Sequence, residues 1–103
     1  MVAHGEVWWY EHPDRNPRPH LILTRDAAIT VLHQLLAVPA TRTVRGIPTE
    51  VPLDESDGMP APCALTLDNA TLVRTAFLTR RITDLGPERM REVCHALAVA
   101  TAC

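Results

Sequence analysis

The sequence predicts a mainly β domain: a small barrel or strongly bent sheet of five or six short strands, with one α-helix at the C-terminus. Two observations carry that class. Short β-branched or aromatic runs recur between clusters of turn formers, and an apolar stripe at helical spacing is clear only at the C-terminal end. With 103 residues, the chain is expected to form one domain, residues 1–103, around one core.

Taken in order, Glu6-Val7-Trp8-Trp9-Tyr10 reads as the first strand. It ends at His12-Pro13-Asp14-Arg15-Asn16-Pro17, which cannot continue a ladder. Arg18-Pro19 opens the next extended segment, and Leu21-Ile22-Leu23-Thr24 is a short apolar strand. Ala27, Ala28, Val31, Leu32, Leu35 and Leu36 then fall at helical spacing. Yet Gln34 to Val38, before Pro39, suits a buried strand equally well, and periodicity alone does not arbitrate. Thr41 to Gly46 reads as an exposed basic loop. Thr49-Glu50-Val51-Pro52-Leu53 alternates at period two, and its Pro predicts a sheet edge. Asp54 to Pro62 is an acidic loop, Cys63 to Leu67 a strand stopped by Asp68-Asn69, and Phe77 to Leu85 holds one more. Gly86 is a plausible N-cap, with Pro87 at the first helical position and Glu88 in the first turn. Met90, Val93, Cys94, Leu97 and Thr101 form the predicted inward stripe.

Composition narrows the function classes. All ten cationic residues are Arg, against twelve acids, for a net charge of -2. That excludes a uniformly basic nucleic-acid coat but allows a local patch. Four aromatic residues, Trp8, Trp9, Tyr10 and Phe77, are too few for a broad base-stacking platform. Three widely spaced Cys, at 63, 94 and 103, make neither a disulfide framework nor a zinc pattern, so no metal and no cofactor is expected. The first residues lack a signal peptide's basic stretch and apolar run. No apolar run approaches the roughly 20 residues that cross a bilayer, so the expected compartment is the reducing cytoplasm, without membrane contact.

The charge is unevenly spread. Residues 15–45 carry five Arg (15, 18, 25, 42 and 45) against one acid, Asp26, whereas residues 46–68 carry five acids and no Arg. This asymmetry points to a local site for an anionic ligand. If the strands opened by Arg18 and closed by Thr41 pair, the two residues share one rim of the sheet. A forked guanidinium beside a hydroxyl is a workable phosphate site. A salt-bridged Arg and a capping Thr are the structural alternative.

Gly5-Glu6-Val7-Trp8, Arg18-Pro19 leading into Leu-Ile-Leu-Thr-Arg-Asp, Val38-Pro39-Ala40-Thr41, Leu67-Asp68-Asn69 and Leu85-Gly86-Pro87-Glu88-Arg89-Met90 form an ordered series. It resembles the MazF/PemK/Kid family of toxins from type II toxin–antitoxin systems, from about residue 4 to the C-terminus. The resemblance implies an SH3-like β-barrel with a C-terminal helix, acting as a homodimer. It implies a short helical turn at residues 27–31 and a buried strand at 33–39. It also implies a metal-independent endoribonuclease that cuts single-stranded RNA, and a cognate MazE-like antitoxin as partner. In the implied reaction a ribose 2′-hydroxyl attacks the adjacent phosphorus, leaving a 2′,3′-cyclic phosphate and a 5′-hydroxyl.

By the family's pattern Arg18 and Thr41 are the catalytic positions, Arg18 for transition-state charge and proton transfer, Thr41 for holding a phosphate oxygen. Asp68 matches an acidic position some relatives use, with Asn69 beside it, although an Asx-turn explains both. Arg42 and Arg45 fall in a loop that contacts RNA in relatives. The turn between the first two strands is shorter here and lacks the relatives' Gly-, Ser- and Glu-bearing loop. His20, two residues after Arg18 on the same strand face, and His12 in the turn are therefore candidates for the missing base. Trp8 is expected in the core. Trp9 faces the other way, to pack or to stack on a base or partner. Arg74, Arg80 and Arg81 are expected to be solvated. A gyrase-poisoning barrel of the CcdB type is the competing class; it depends on a Trp-Gly-Ile ending, whereas this sequence ends Thr101-Ala102-Cys103.

Overall fold

A computed structural model describes residues 1–103 as seven strands, two helices and three single 3-10 turns. The strands are β1 (Glu6–Tyr10), β2 (Arg18–Ile22), β3 (Gln34–Thr41), β4 (Glu50–Leu53), β5 (Cys63–Thr66), β6 (Thr71–Arg74) and β7 (Leu78–Asp84). Helix α1 (Asp26–Ile29) is one turn, and α2 (Pro87–Thr101) is the only long helix. The sheet is antiparallel in the order β4-β5-β3-β2-β1-β7, with β6 also on β3. Strands β4 and β7 stand at opposite ends, so the sheet takes the bent, open form of the expected barrel. Pro52 sits on an end strand, where its missing N–H breaks no ladder.

β3 makes the bend. Its first half pairs with β6 (Leu35 with Val73) and its last two residues with β5 (Ala40 with Leu65), while its other edge pairs with β2. Both faces of the sheet are consequently covered. Val7, Leu21, Val38, Ala40 and Leu65 lie in the larger core, with Val93 and Ala96 of α2. Tyr10, Ile22, Leu35, Ala37 and Val73 lie in a second, smaller one. Adjacent residues Leu21 and Ile22 thus enter different cores, as period-two geometry requires.

Several expectations are corrected. There are seven strands because β6 forms from Thr71–Arg74, a four-residue run whose Leu72 is exposed and which therefore lacks a strong apolar signal. The ambiguous segment resolves as α1 followed by β3, and β3 runs on through Thr41. The inward stripe of α2 is Met90, Val93, Ala96, Leu97 and Ala100. Cys94 and Thr101 point to solvent, because the small Ala96 lets the helix sit close on that side. Gly86 and Pro87 start α2 as expected. Trp8 is half-buried against the smaller core, its Nε1 donating to Glu6 Oε1 at 3.0 Å. Arg81 is not free: its guanidinium pairs with Glu6 at 3.1 Å and Asp84 at 2.8 Å. No helix is long and apolar enough to cross a membrane.

Candidate active site

The β2–β3 ladder pairs His20 with Pro39, Leu21 with Val38 and Ile22 with Ala37. The ladder stops two residues short of Arg18 and Thr41, and both of these line one cleft at the rim where the strands end. Two depressions meet there. A groove of about 1010 Å³ is lined by Tyr10, Asp14, Arg15, Asn16, Arg18, His20 and Asn69, among others. A cleft of about 420 Å³ is lined by Trp9, Arg18, Thr41, Arg42, Pro60 and Ala61, among others. Arg18 belongs to both.

The rim's charge is unspent. Arg18 and Arg42 are exposed, and ion pairs in the molecule engage only Arg81 and Arg89. The forked donors of Arg18 therefore remain available for an anion. Thr41 Oγ1 accepts the Thr43 N–H at 3.2 Å, which fixes the oxygen and leaves its own proton to donate.

His20 is 7% exposed, lies edge-on to Tyr10 with ring centroids 5.1 Å apart, and lines the groove. Its Nδ1 is 3.1 Å from the Arg18 carbonyl oxygen. A carbonyl only accepts, so Nδ1 carries the proton and Nε2 keeps the lone pair. Burial lowers the His20 pKa; the carbonyl bond opposes this, and the charges of Arg18 and Arg15 lower it further. The ring is neutral at pH 7, the form a base needs.

The other candidates separate. Asn69 lines the groove. Asp68 is outside both depressions, and its Oδ2 accepts the Thr49 hydroxyl at 2.6 Å. His12 Nδ1 accepts the Asp14 N–H at 3.0 Å and its ring packs on Phe77 at 5.2 Å, so it braces the turn. Arg45 lies on the exposed loop beyond the cleft, its backbone N–H held by Glu50 Oε1 at 2.9 Å. Trp9 lines the cleft with Arg80 over its ring at 5.9 Å. Cys63 also lines the cleft, but burial, aided by Asp57 and Asp54, pushes its thiol pKa up, which keeps it from acting as a thiolate. Nowhere do three His, Cys, Asp or Glu side chains gather as metal ligands.

Sequence reading did not assign Arg15, Asn16 or Tyr10 to a site, although all three line the groove. Arg15 was countable in the basic segment, but Pro13 to Pro17 reads as a turn. Only its fold-back beside β2 brings those side chains to the groove.

A family profile for the PemK-like, MazF-like toxin of type II toxin–antitoxin systems matches residues 3–101. This chain belongs to that family. It is 44% identical over its full length to a probable endoribonuclease MazF5 of Mycobacterium tuberculosis, covering 95% of that protein. It is 41% identical, over 99% of its length, to a probable endoribonuclease MazF2 of the same species, covering all of it. Among solved structures, the Mycobacterium tuberculosis toxin MazF-mt6 superposes with a TM-score of 0.86 at 31% identity, covering 94% of this chain and 96% of that one. An endoribonuclease from a mycobacterial species, solved in complex with its cognate antitoxin, superposes with a TM-score of 0.89 at 25% identity, covering 99% and 96%.

Proposed function

We propose that this MazF-like chain is a cytoplasmic endoribonuclease that cuts single-stranded RNA without a metal, working as a homodimer. The observation that carries the reading is the unpaired Arg18 at the junction of groove and cleft, with Thr41 lining the same cleft and a neutral His20 on the same strand face. His20 Nε2 takes the proton of the ribose 2′-hydroxyl, and the 2′-oxygen attacks the adjacent phosphorus. Arg18 and the Thr41 hydroxyl donate to the non-bridging oxygens, where negative charge builds. The P–O5′ bond then breaks, and the 5′-oxygen leaves as a hydroxyl with a proton from the Arg18 guanidinium, which regains one from solvent as His20 releases the proton it took. A 2′,3′-cyclic phosphate stays on the other fragment. Asn69, Arg42 and Arg45 hold the strand; Asp68 and His12 serve the fold.

The test is a long unstructured RNA incubated with purified protein in EDTA. Fragments whose 5′ ends accept a phosphate directly from a polynucleotide kinase, and whose 3′ ends cannot be extended by a poly(A) polymerase until the cyclic phosphate is removed, are the expected products. Intact RNA, or fragments with 5′-phosphates, would refute the reaction.

The same rim suits an acidic, partly disordered MazE-like antitoxin segment, which folds on binding and can wrap a large area. Such a segment would cover Arg18, Arg42 and Arg45 and lay apolar side chains near Trp9. It and an RNA analogue should then displace one another; simultaneous binding without loss of affinity would place inhibition elsewhere.

A further inference from the structure

The wall of the cleft opposite β1 and β2 comes from the segment after β4. Pro60 and Ala61 face the cleft there, on a stretch that belongs to no sheet ladder. Something else must hold it. Met59 is one anchor, 3% exposed in the larger core. Asp57 is the other. Its carboxylate takes a fork from Arg89 of α2, with Nε to Oδ1 at 3.0 Å and Nη2 to Oδ2 at 3.3 Å. Oδ2 also accepts the Asp54 N–H at 3.0 Å, and the Asp57 carbonyl accepts the Thr83 hydroxyl of β7 at 2.9 Å. Gly58 follows with φ +91, and a Cβ there would lie 2.4 Å from Thr83 Oγ1. Only a glycine permits both that backbone and that approach. The Asp57 side chain is 11% exposed, so the fork works largely out of water.

We infer that Arg89 and Asp57 are positioning residues: their ion pair sets the width of the cleft and thereby selects, by size, the RNA base that lies next to the scissile phosphate. This rests on the ribonuclease reading. A cleft of about 420 Å³ falls toward the small end of ligand pockets and has room for one nucleotide. Its loop-side wall of Pro60 and Ala61 offers no side-chain hydrogen-bond donor, so that wall discriminates by shape. Shape discrimination in apolar pockets is typically worth about 10–200-fold, and it depends on a wall that does not yield. A loop with two ties to α2 and β7 supplies such a wall without touching the substrate.

The experiment compares wild type with Arg89→Gln, which keeps most of the stem but loses the charge. Cleavage sites on one long RNA are mapped by sequencing the new ends, and kcat and KM are measured on the best site. We expect a folded Arg89→Gln protein to lose about tenfold in discrimination at one base position flanking the cut. KM should rise several-fold while kcat stays within about twofold. Arg89→Lys should recover part of the preference, because charge is kept and the fork is not. Wild-type base preference and KM in folded Arg89→Gln would overturn the inference. Should that variant fail to fold, Thr83→Val removes the second tie and reads the same preference, with an unchanged pattern again overturning it. If the wild type cuts no RNA, the ribonuclease reading fails. The cleft is then read by wild-type and Arg89→Gln affinities for short oligonucleotides varied at one base, and equal selectivity in the two proteins would refute the positioning role by itself.

Discussion

Where the Glu55–Asp57 turn meets α2, Asp57, Arg89 and Glu92 are all paired; along the rim of β2 and β3, Arg15, Arg18, Arg42 and Arg45 have no carboxylate partner. Both regions are built from the same residue type. In the first, Arg89 meets a largely buried carboxylate already held by a backbone N–H, so the fork adds order to the fold. In the second, short turns and strand ends lift guanidinium groups into solvent with nothing to neutralise them. Unpaired like charges repel, and an anion bound among them relieves that repulsion. On the proposed reading the first cluster serves architecture and the second an anionic ligand, and that contrast can be broken at either end.

The largest effect is expected at Arg18. Arg18→Ala removes a preorganised donor aimed at developing charge, a loss of about 10²–10³ in rate. Thr41→Val should cost less, about tenfold, since one hydroxyl is lost and the neighbouring donors remain. Because Arg18 is exposed and unpaired, its thermal midpoint should stay near that of wild type, as for other surface substitutions of about ±0.5 kcal/mol. A large drop in melting temperature with Arg18→Ala would show that the rim is structural after all.

His20 comes next, because it touches both sides of the contrast. As the base, His20→Gln should lower kcat by about 10². The pH profile is the sharper measurement. The folded-state pKa is depressed below the ordinary 6.5, so the midpoint of the rise in activity with pH should lie below 6.5. Stability has the same sign. The unfolded chain binds the extra proton first, so stability falls as pH drops through 6.5 toward the lower folded value. A midpoint at or above 6.5, or a profile unchanged in His20→Gln, would move the base elsewhere.

Asp57→Ala probes the architectural cluster. It strips the fork from Arg89 and the acceptor from the Asp54 N–H, at a cost of about 1–3 kcal/mol. Arg89 is 30% exposed, which argues for the lower half. For a domain of this size that is a fall in Tm of about 4–8 °C per kcal/mol. An unchanged Tm would mean that the paired cluster contributes as little as an ordinary surface ion pair.

How much of this was legible in the sequence follows the same division. β1, β4, β5, β7 and the start of α2 were readable because each has a local cause: an alternating run, a Pro at an edge, or Gly-Pro before a helix. β6 was not, since its register is set by β3 and its own four residues bury little beyond Val73. The α1–β3 boundary was not readable from period either, because both states bury Leu35 and part only at Leu36, which the strand exposes, and Ala37, which it buries. In the candidate site, strand parity and family pattern pointed to Arg18, Thr41, His20 and Asn69; Arg18, His20 and Asn69 line the groove, and Arg18 and Thr41 line the cleft. Asp68, matched by family pattern, and His12, singled out by the shortened turn, hydrogen-bond Thr49 and Asp14, partners 19 and 2 residues away that no motif announces. The Asp57–Arg89 tie spans 32 residues and required the fold itself.

The smallest expected effect distinguishes positioning charge from chemical charge within the rim. Arg42 lines the cleft and Arg45 lies on the loop beyond it, and in the proposed reaction only Arg18 meets the reacting phosphorus. Each guanidinium that neutralises a phosphate of a single strand contributes about 0.7 to the slope of log affinity against log salt. Replacing both Arg42 and Arg45 by Gln should therefore flatten that slope by about 1.4 units, with kcat nearly unchanged at saturating RNA. KM should rise most at low salt, where counterion release is worth most, and the difference from wild type should narrow as salt is raised. Loss of kcat in the double variant would draw these two residues into the chemistry with Arg18. An unaltered slope would mean that the strand leaves the junction through the groove, past Arg15 and Asn16, instead of over the Thr41 loop.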